Sequence, residues 1–113
     1  MDKKHLYGLW TDDNRITAEK MVFMYTINSL VRGWWEQVTL IIWGAPAQLV
    51  SEDASIQQKI REALDAGVHV TACKACADQL GVTETLEKLH IDVKYWGELL
   101  TGVLKNDEQL LTI

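Results

Sequence analysis

Apolar and polar residues alternate along the chain in blocks that predict strands and helices in turn. Short apolar, β-branched segments predict five strands, at residues 5–10, 38–43, 68–72, 91–96 and 110–113. Helical segments separate the strands, an order typical of an α/β fold with a mainly parallel five-stranded sheet. The second strand is apolar almost throughout, as a central strand buried on both faces requires. The last strand is predicted at an edge, and the order of the strands is left open.

The first helix is predicted to run to about Arg32, after polar N-cap candidates at 11–14, with Gly33 ending it. On a 3.6-residue period one face, expected to pack on the sheet, carries Ile16, Phe23, Ile27, Leu30, Val31 and Trp34. Apolar groups also lie on another side, at Met21, Val22 and Tyr25. A helix that is apolar nearly all round is usually covered on more than one side, which predicts a subunit interface. Scattered exposed apolar residues are the alternative.

Four further helices are predicted. They lie between Asp53 and Gly67, from Cys73 to Gly81, over 83–90, and from Gly97 through Leu104. The segment 44–46, Gly-Ala-Pro, is interpreted as a break between the second strand and the next helix.

Length and charge limit the classes of function. A chain of 113 residues without linker or repeat predicts a single domain over residues 1–113. A net charge of −5, with scattered basic residues, argues against binding to nucleic acid or anionic membranes. No apolar run reaches the roughly 18 residues of a membrane span, and the amino terminus lacks a signal-peptide pattern. The cytoplasm is therefore the expected location.

The two cysteines, Cys73 and Cys76, are three residues apart at the carboxyl end of the third predicted strand. In open α/β sheets, ligands and chemistry gather beyond the carboxyl ends of the strands. Backbone N–H groups in the first turn of the next helix stabilise an anion, which favours a reactive Cys73 thiolate, and Lys74 adds positive charge. Cys76 lies about one helical turn on, close enough to exchange a disulfide or a sulfur atom with Cys73.

Four interpretations of this pair remain open. A structural zinc site needs four ligands, and only two cysteines exist, so no metal is predicted. As a further ligand, His69 is too far away, about 13 Å back along its strand from Cys73. His5 or His90 would come near the cysteines only if the tertiary fold placed them there. A dithiol redox couple fits the spacing, although Lys74-Ala75 replaces the small residues usual between such cysteines. The other two interpretations are a sulfur-handling thiol and simple packing as small apolar residues.

The whole chain resembles the DsrE/DsrF-like family, which includes the TusD-like sulfur-relay proteins. The resemblance is sharpest between Ala66 and Val82, where a Gly-Val strand leads to Cys73 and Gly81-Val82 follows eight residues later. It implies a flavodoxin-like three-layer α/β/α sandwich that assembles into homo-oligomers, either trimers or hexamers.

The same resemblance implies a role for Cys73. In sulfur-transferring members the matching cysteine receives sulfane sulfur from a donor protein as a persulfide and passes it to an acceptor protein, without a cofactor. Cys76 is an extra thiol that assists, protects or resolves Cys73, or only packs. Whether transfer makes this chain a sulfurtransferase enzyme is left open, and a non-enzymatic oligomeric binding module is the alternative.

Other residues at the same sheet edge carry weaker signals. Trp10, Trp43 and Trp96 each end a predicted strand at the edge where Cys73 lies. Their indoles either cover a pocket over Cys73 or pack within the subunit or against a neighbouring one. Carboxylates follow the first two strands at Asp12, Asp13, Glu52 and Asp53, where helix capping accounts for them without a Mg²⁺ site or a proton carrier. His69 alternates with valines and is expected to be a satisfied, partly buried histidine.

Overall fold

The computed structural model describes residues 4–113, which form one five-stranded sheet with helices on both faces. The strands are β1 His5–Trp10, β2 Gln37–Ile42, β3 His69–Cys73, β4 Asp92–Lys94 and β5 Gln109–Thr112. Every neighbouring pair is parallel, and the order across the sheet is β4-β3-β2-β1-β5. The predicted α/β class, the parallel sheet and the edge position of the last strand are confirmed.

Six helices connect the strands of the described chain. They are α1 over residues 15–31, α2 Ala45–Glu52, α3 Ala54–Ala66, α4 Lys74–Leu80, α5 Thr83–Lys88 and α6 Gly97–Lys105. Helix α2 begins where the sequence predicted a break. Gly44 adopts a positive φ of 83°, and Pro46 lies in the first turn, where its missing N–H removes no helical hydrogen bond. The Gly-Ala-Pro segment therefore starts a helix instead of interrupting one.

The strand order explains how the helices divide into two layers. The chain steps from β1 to β4 in one direction, so right-handed crossovers bring α1 to α5 onto one face. The connection from β4 to β5 returns across the whole sheet, which brings α6 onto the opposite face. These three layers are the α/β/α sandwich expected from the resemblance. The reversal lies at the β4–β5 crossover, whereas in the flavodoxin order 2-1-3-4-5 it follows the second strand.

Two apolar cores lie on the two faces. The first-face core joins β-strand residues to helices α1 to α5 and includes Trp10, Phe23, Leu40, Ile42, Ile60 and Leu86. The second-face core is small and contains Ile41, Cys73, Trp96 and Val103. No helix in residues 4–113 is both long and apolar enough to cross a membrane.

Helix α1 corrects one expectation from the sequence. A wider π-helical turn, Ala18–Phe23, separates the α-helical segments Arg15–Thr17 and Met24–Val31. Because a π turn holds more residues than an α turn, Val22 faces the same core as Phe23. The predicted position of Val22 and Tyr25 on a second side is therefore wrong, since Tyr25 also packs against this core. Phe23, Ile27 and Leu30 do pack on the core. The expected burial of three others is wrong, because the exposed fractions are 69% for Ile16, 70% for Val31 and 55% for Trp34.

Candidate functional site

Strand β3 ends at Cys73, which is also the N-cap residue of α4. The backbone of Cys73 is extended, with φ −69° and ψ 115°, and the chain turns helical at the next residue. The alternation along β3 directs Val70 and Ala72 to the first-face core and Cys73 to the second-face core. The Cys73 side chain is nearly buried, at 4% exposure, and both cysteines are free thiols.

Cys73 lines a cleft of about 810 Å³ at the carboxyl edge of the sheet. Four parts of the chain supply the walls: the end of β2, the junction of β3 and α4, the segment after β4 and the first turn of α6. The lining residues are Trp43, Cys73, Ala75, Tyr95, Trp96, Gly97, Glu98 and Leu99. The cleft is therefore largely apolar and aromatic around one thiol, at the edge where ligands bind in open α/β sheets.

A hydrogen bond through Thr71 holds the Trp96 wall of this cleft in place. The Trp96 Nε1–H donates to Thr71 Oγ1 over 2.8 Å, and the Thr71 hydroxyl donates to the backbone carbonyl of Asp92 over 2.5 Å. Thr71 is fully buried on β3, two residues before Cys73 on the same face. The hydroxyl therefore fixes the indole relative to the thiol, and sequence reasoning had assigned Thr71 no role.

The structure separates the three tryptophans that the sequence placed together. Trp43 and Trp96 line the cleft. Trp10 does not, because it lies fully buried in the first-face core, where its ring meets Phe23 edge-on at 5.4 Å. The alternation of side chains along β1 is the reason, because Leu6 and Trp10 point to the first face while Tyr7 and Leu9 point to the second. For Trp10, the packing alternative holds.

Cys76 lies in the first turns of α4, beside Cys73 and partly buried, but it is absent from the cleft lining. Burial raises the pKa of the Cys76 thiol, and a hydrogen bond with the Cys73 side chain raises the pKa further. Backbone N–H groups of Gly44 and of Cys76 itself act in the opposite direction, because they stabilise the thiolate. Cys76 packs against the second-face core that contains Cys73, and of the two cysteines Cys73 lines the cleft.

Two lysines flank the cleft. Lys74 Nζ pairs with Asp78 Oδ2 at 3.0 Å and lies 5.8 Å from the centroid of the Tyr95 ring. The hydrogen bond with Asp78 raises the pKa of Lys74. Lys94 is the β4 residue in register with Cys73, and its Nζ lies 5.7 Å from the Trp96 ring and 3.0 Å from Asp92 Oδ2. Sequence reasoning missed Lys94, because the pairing register of two parallel strands is set by the tertiary structure.

Of the four carboxylates that the sequence assigned to capping, Asp53 is the one that the structure places at a helix N-cap, whereas Glu52 lies at the end of α2. Asp53 Oδ1 accepts the backbone N–H groups of Ser55 and Ile56 at the start of α3, and Asp53 Oδ2 pairs with Arg15 at 3.1 Å. The hydrogen bond from the Ser55 hydroxyl is the largest of several contacts that lower the pKa of Asp53. At α1 the cap is Asn14, whose own N–H donates to Asp12. Within residues 4–113, no group of three or more His, Cys, Asp or Glu side chains is arranged to hold a metal ion.

A row of polar side chains crosses the second face at the amino-terminal ends of the strands. A hydrogen bond of 2.7 Å joins His5 Nε2 to Thr39 Oγ1, and Thr39 Oγ1 lies 3.5 Å from His69 Nδ1. His69 Nε2 in turn lies 3.0 Å from Asp92 Oδ2. His69 has partners as expected, although it is exposed and not partly buried.

Comparisons with known proteins agree on the fold. The chain is 42% identical to BT1422 from Bacteroides thetaiotaomicron, a conserved protein of unknown function, with a TM-score of 0.95 over 97% of this chain and 95% of that one. It also matches the ychN protein from E. coli, with a TM-score of 0.70 over 99% of this chain and 100% of that one. At 16% identity, the second likeness shows a shared fold. No family model and no curated protein matches the chain.

Proposed function

We propose that this chain, which belongs to the same protein family as BT1422, carries sulfane sulfur as a persulfide on Cys73. One observation carries the proposal: a free thiol lines an aromatic cleft at the carboxyl edge of the sheet. The DsrE-like fold supports it, because the resemblance assigns persulfide transfer to the cysteine at this position. The expected partners are a sulfur donor protein and an acceptor protein in a reducing compartment such as the cytoplasm.

The transfer needs two displacements at sulfur. The Cys73 thiolate attacks the outer sulfur of a donor persulfide, a new S–S bond forms to Cys73 Sγ, and the donor leaves as its thiolate. An acceptor thiolate then attacks the outer sulfur of the Cys73 persulfide, which returns Cys73 to the thiolate. Each step exchanges one S–S bond for another, so neither step needs a redox cofactor.

The surroundings of Cys73 fit these steps. The indoles of Trp43 and Trp96 limit the access of water to the persulfide, which is an anion at neutral pH. Two cations lie at the edge of the cleft, Lys74 against Tyr95 and Lys94 against Trp96. We assign both lysines to stabilisation of the sulfur anion, with Asp78 and Asp92 holding their ammonium groups in position.

Mass spectrometry after incubation with a persulfide donor tests the proposal. We expect the wild-type protein and Cys76→Ser to gain the mass of one sulfur atom on Cys73, and Cys73→Ser to gain nothing. We also expect Cys73 to react with iodoacetamide at neutral pH faster than a cysteine in an unstructured peptide. The relay role would be ruled out if neither the wild type nor Cys76→Ser gained the adduct and Cys73 were alkylated no faster than the peptide cysteine.

A dithiol redox couple is the second candidate, because Cys76 packs against the second-face core that contains Cys73, three residues away in the chain. It predicts a reversible disulfide whose reduction potential lies near that of cytosolic glutathione, about −220 to −320 mV. Equilibration of the protein with glutathione buffers, followed by trapping of the free thiols, measures this potential. A value far outside the range would exclude regulated exchange.

We also propose a homo-oligomer, a trimer or hexamer as the resemblance implies. Large apolar side chains remain exposed along α1 and just after it: Ile16, Met21, Met24, Val31 and Trp34. Several large exposed apolar side chains on one helix are typical of an interface between protein chains. Size-exclusion chromatography with light scattering measures the mass, and Met24→Glu together with Val31→Glu is expected to shift it to that of a monomer. A wild-type mass of 12.8 kDa would contradict the proposal.

A further inference from the structure

The two thiols of the site differ in access from solvent. Cys73 lines the cleft but is only 4% exposed, whereas Cys76 is the more exposed of the two and lines none of the cleft. Both side chains belong to the second-face core, packed with Trp96 and Ile41. A persulfide donor bound in the cleft therefore meets Cys73 and not Cys76.

We propose that Cys76 discharges a persulfide on Cys73 that no acceptor has collected, releasing the sulfur as hydrosulfide and closing a Cys73–Cys76 disulfide. This role rests on the proposed function. The Cys76 thiolate attacks Cys73 Sγ, the Sγ–S bond of the persulfide breaks, and the outer sulfur leaves as HS⁻ with its electron pair. The outer sulfur is reduced and Cys76 is oxidised, so the step needs no external oxidant. A thiol reductant, such as a small cellular thiol, then returns the disulfide to two thiols.

The geometry favours attack on the inner sulfur. Residues three apart at the start of a helix are neighbours on one face, about 5–6 Å apart at Cβ, which is close enough for a disulfide after small adjustments of the side chains. Cys76 packs against the second-face core that contains Cys73, which agrees with that spacing. Because Cys76 lines none of the cleft, a persulfide whose outer sulfur points into the cleft presents its inner sulfur, Cys73 Sγ, to Cys76.

The backbone around Gly44 supports the nucleophile. The Gly44 N–H lowers the pKa of the Cys76 thiol and so partly offsets burial and Cys73, which together raise that pKa. Gly44 has φ 83° and ψ −126°, a conformation that side chains rarely adopt, and it lies at the start of α2. This turn between β2 and α2 therefore links the Cys76 thiolate to a backbone position that only glycine occupies without strain.

The lifetime of the persulfide distinguishes this role from packing. Wild-type protein and Cys76→Ser are loaded with inorganic polysulfide, freed of excess reagent, and followed by intact mass and by release of sulfide. We expect Cys76→Ser to keep the added sulfur at least about tenfold longer, because an intramolecular thiol has a high effective concentration. Over the same time, the wild type should release one sulfide per persulfide and end two hydrogens lighter than the unloaded protein with both thiols reduced.

Each outcome decides a different claim. Equal persulfide lifetimes in the two proteins, without a disulfide in the wild type, would overturn the discharge role and leave the carrier role standing. Failure of Cys76→Ser to load on Cys73 at all would overturn the carrier role and with it the discharge role. Cys76→Ala serves as the matched control, since it removes the thiol without adding a hydroxyl. It is expected to behave as Cys76→Ser does.

Discussion

The two faces of the sheet are covered to different extents. Five helices cover the first face and bury a continuous apolar core, whereas α6 is the helix that packs on the second face. A parallel sheet is usually buried on both sides. On the second face, the cleft at Cys73 lies at the carboxyl ends of the strands, and the polar row from His5 to Asp92 lies at their amino-terminal ends. Stability therefore resides mainly in the first face, and the candidate chemistry lies where helical cover is thin.

The contrast extends to single side chains that share a strand. On β3, Val70 and Ala72 pack into the first-face core, while Thr71 and Cys73 between and after them form the site. Because the two faces alternate residue by residue, the first-face core holds the strand in place while the second-face residues remain free to differ in chemistry. Substitutions on the two faces should consequently affect different measurements.

The largest expected effect is a leucine truncation on the first face. Leu86→Ala in α5 removes a fully buried side chain and should lower the free energy of unfolding by about 2–5 kcal/mol. The matched change Leu100→Ala in α6 removes a partly exposed leucine from the second-face core, so we expect less than about 2 kcal/mol. Urea unfolding measures both. Equal losses would mean that the second face contributes as much stability as the first.

An intermediate effect is expected from Thr71→Val, which keeps the shape of the side chain and removes its hydroxyl. The buried Trp96 N–H then has no acceptor, and the loss should be about 1–3 kcal/mol of unfolding free energy. Because the indole lines the cleft, the rate of Cys73 alkylation should change as well. Thr101→Val is the control, since that exposed hydroxyl donates within α6. An unchanged alkylation rate in Thr71→Val would show that Thr71 does not position the cleft.

The smallest effect concerns pH and the polar row. Burial lowers the pKa of His5, the Glu108 carboxylate raises it, and His69 lowers it, with a net shift downward. The unfolded chain therefore binds a proton at His5 more readily, so the stabilising contribution is present above about pH 6.5 and declines as pH falls through the folded pKa. The contribution is below about 1 kcal/mol, because the ring is partly in contact with solvent.

Thermal unfolding at several pH values tests this prediction. His5→Gln should lose less stability than the wild type between pH 7 and pH 5. His90→Asn provides the control, because His90 is an exposed residue with φ 65° that asparagine tolerates, and this variant retains His5. An identical pH dependence in the wild type and His5→Gln would remove His5 from the pH response.

Much of the fold could be predicted because apolar periodicity and glycine positions are local signals. The predicted strands lie within a few residues of the bounds in the structure. Gly67 and Gly81 end α3 and α4 in the left-handed conformation. Two elements were misinterpreted for physical reasons. The segment at Pro46 has the composition of a turn but starts a helix, and the π turn in α1 breaks the 3.6-residue period from which its buried face was predicted.

The candidate site was predictable to a lesser degree. Strand polarity alone brought Cys73, Trp43 and Trp96 to one edge, and the three line one cleft. Trp10 shares that edge but faces the other side, because its position in the β1 alternation decides its face. Lys94 and Thr71 gave no sequence signal, since their roles arise from pairing between β3 and β4.

The sequence by itself determined the elements, their parallel arrangement and a cysteine pair at the end of a buried strand, because each depends on residues close together in the chain. The tertiary structure decided which face each side chain occupies, which lysine lies beside Cys73, and that a single helix covers the second face. These features depend on strand order and register, which result from contacts between residues far apart in the chain. Such long-range contacts leave no pattern within any short segment of the sequence.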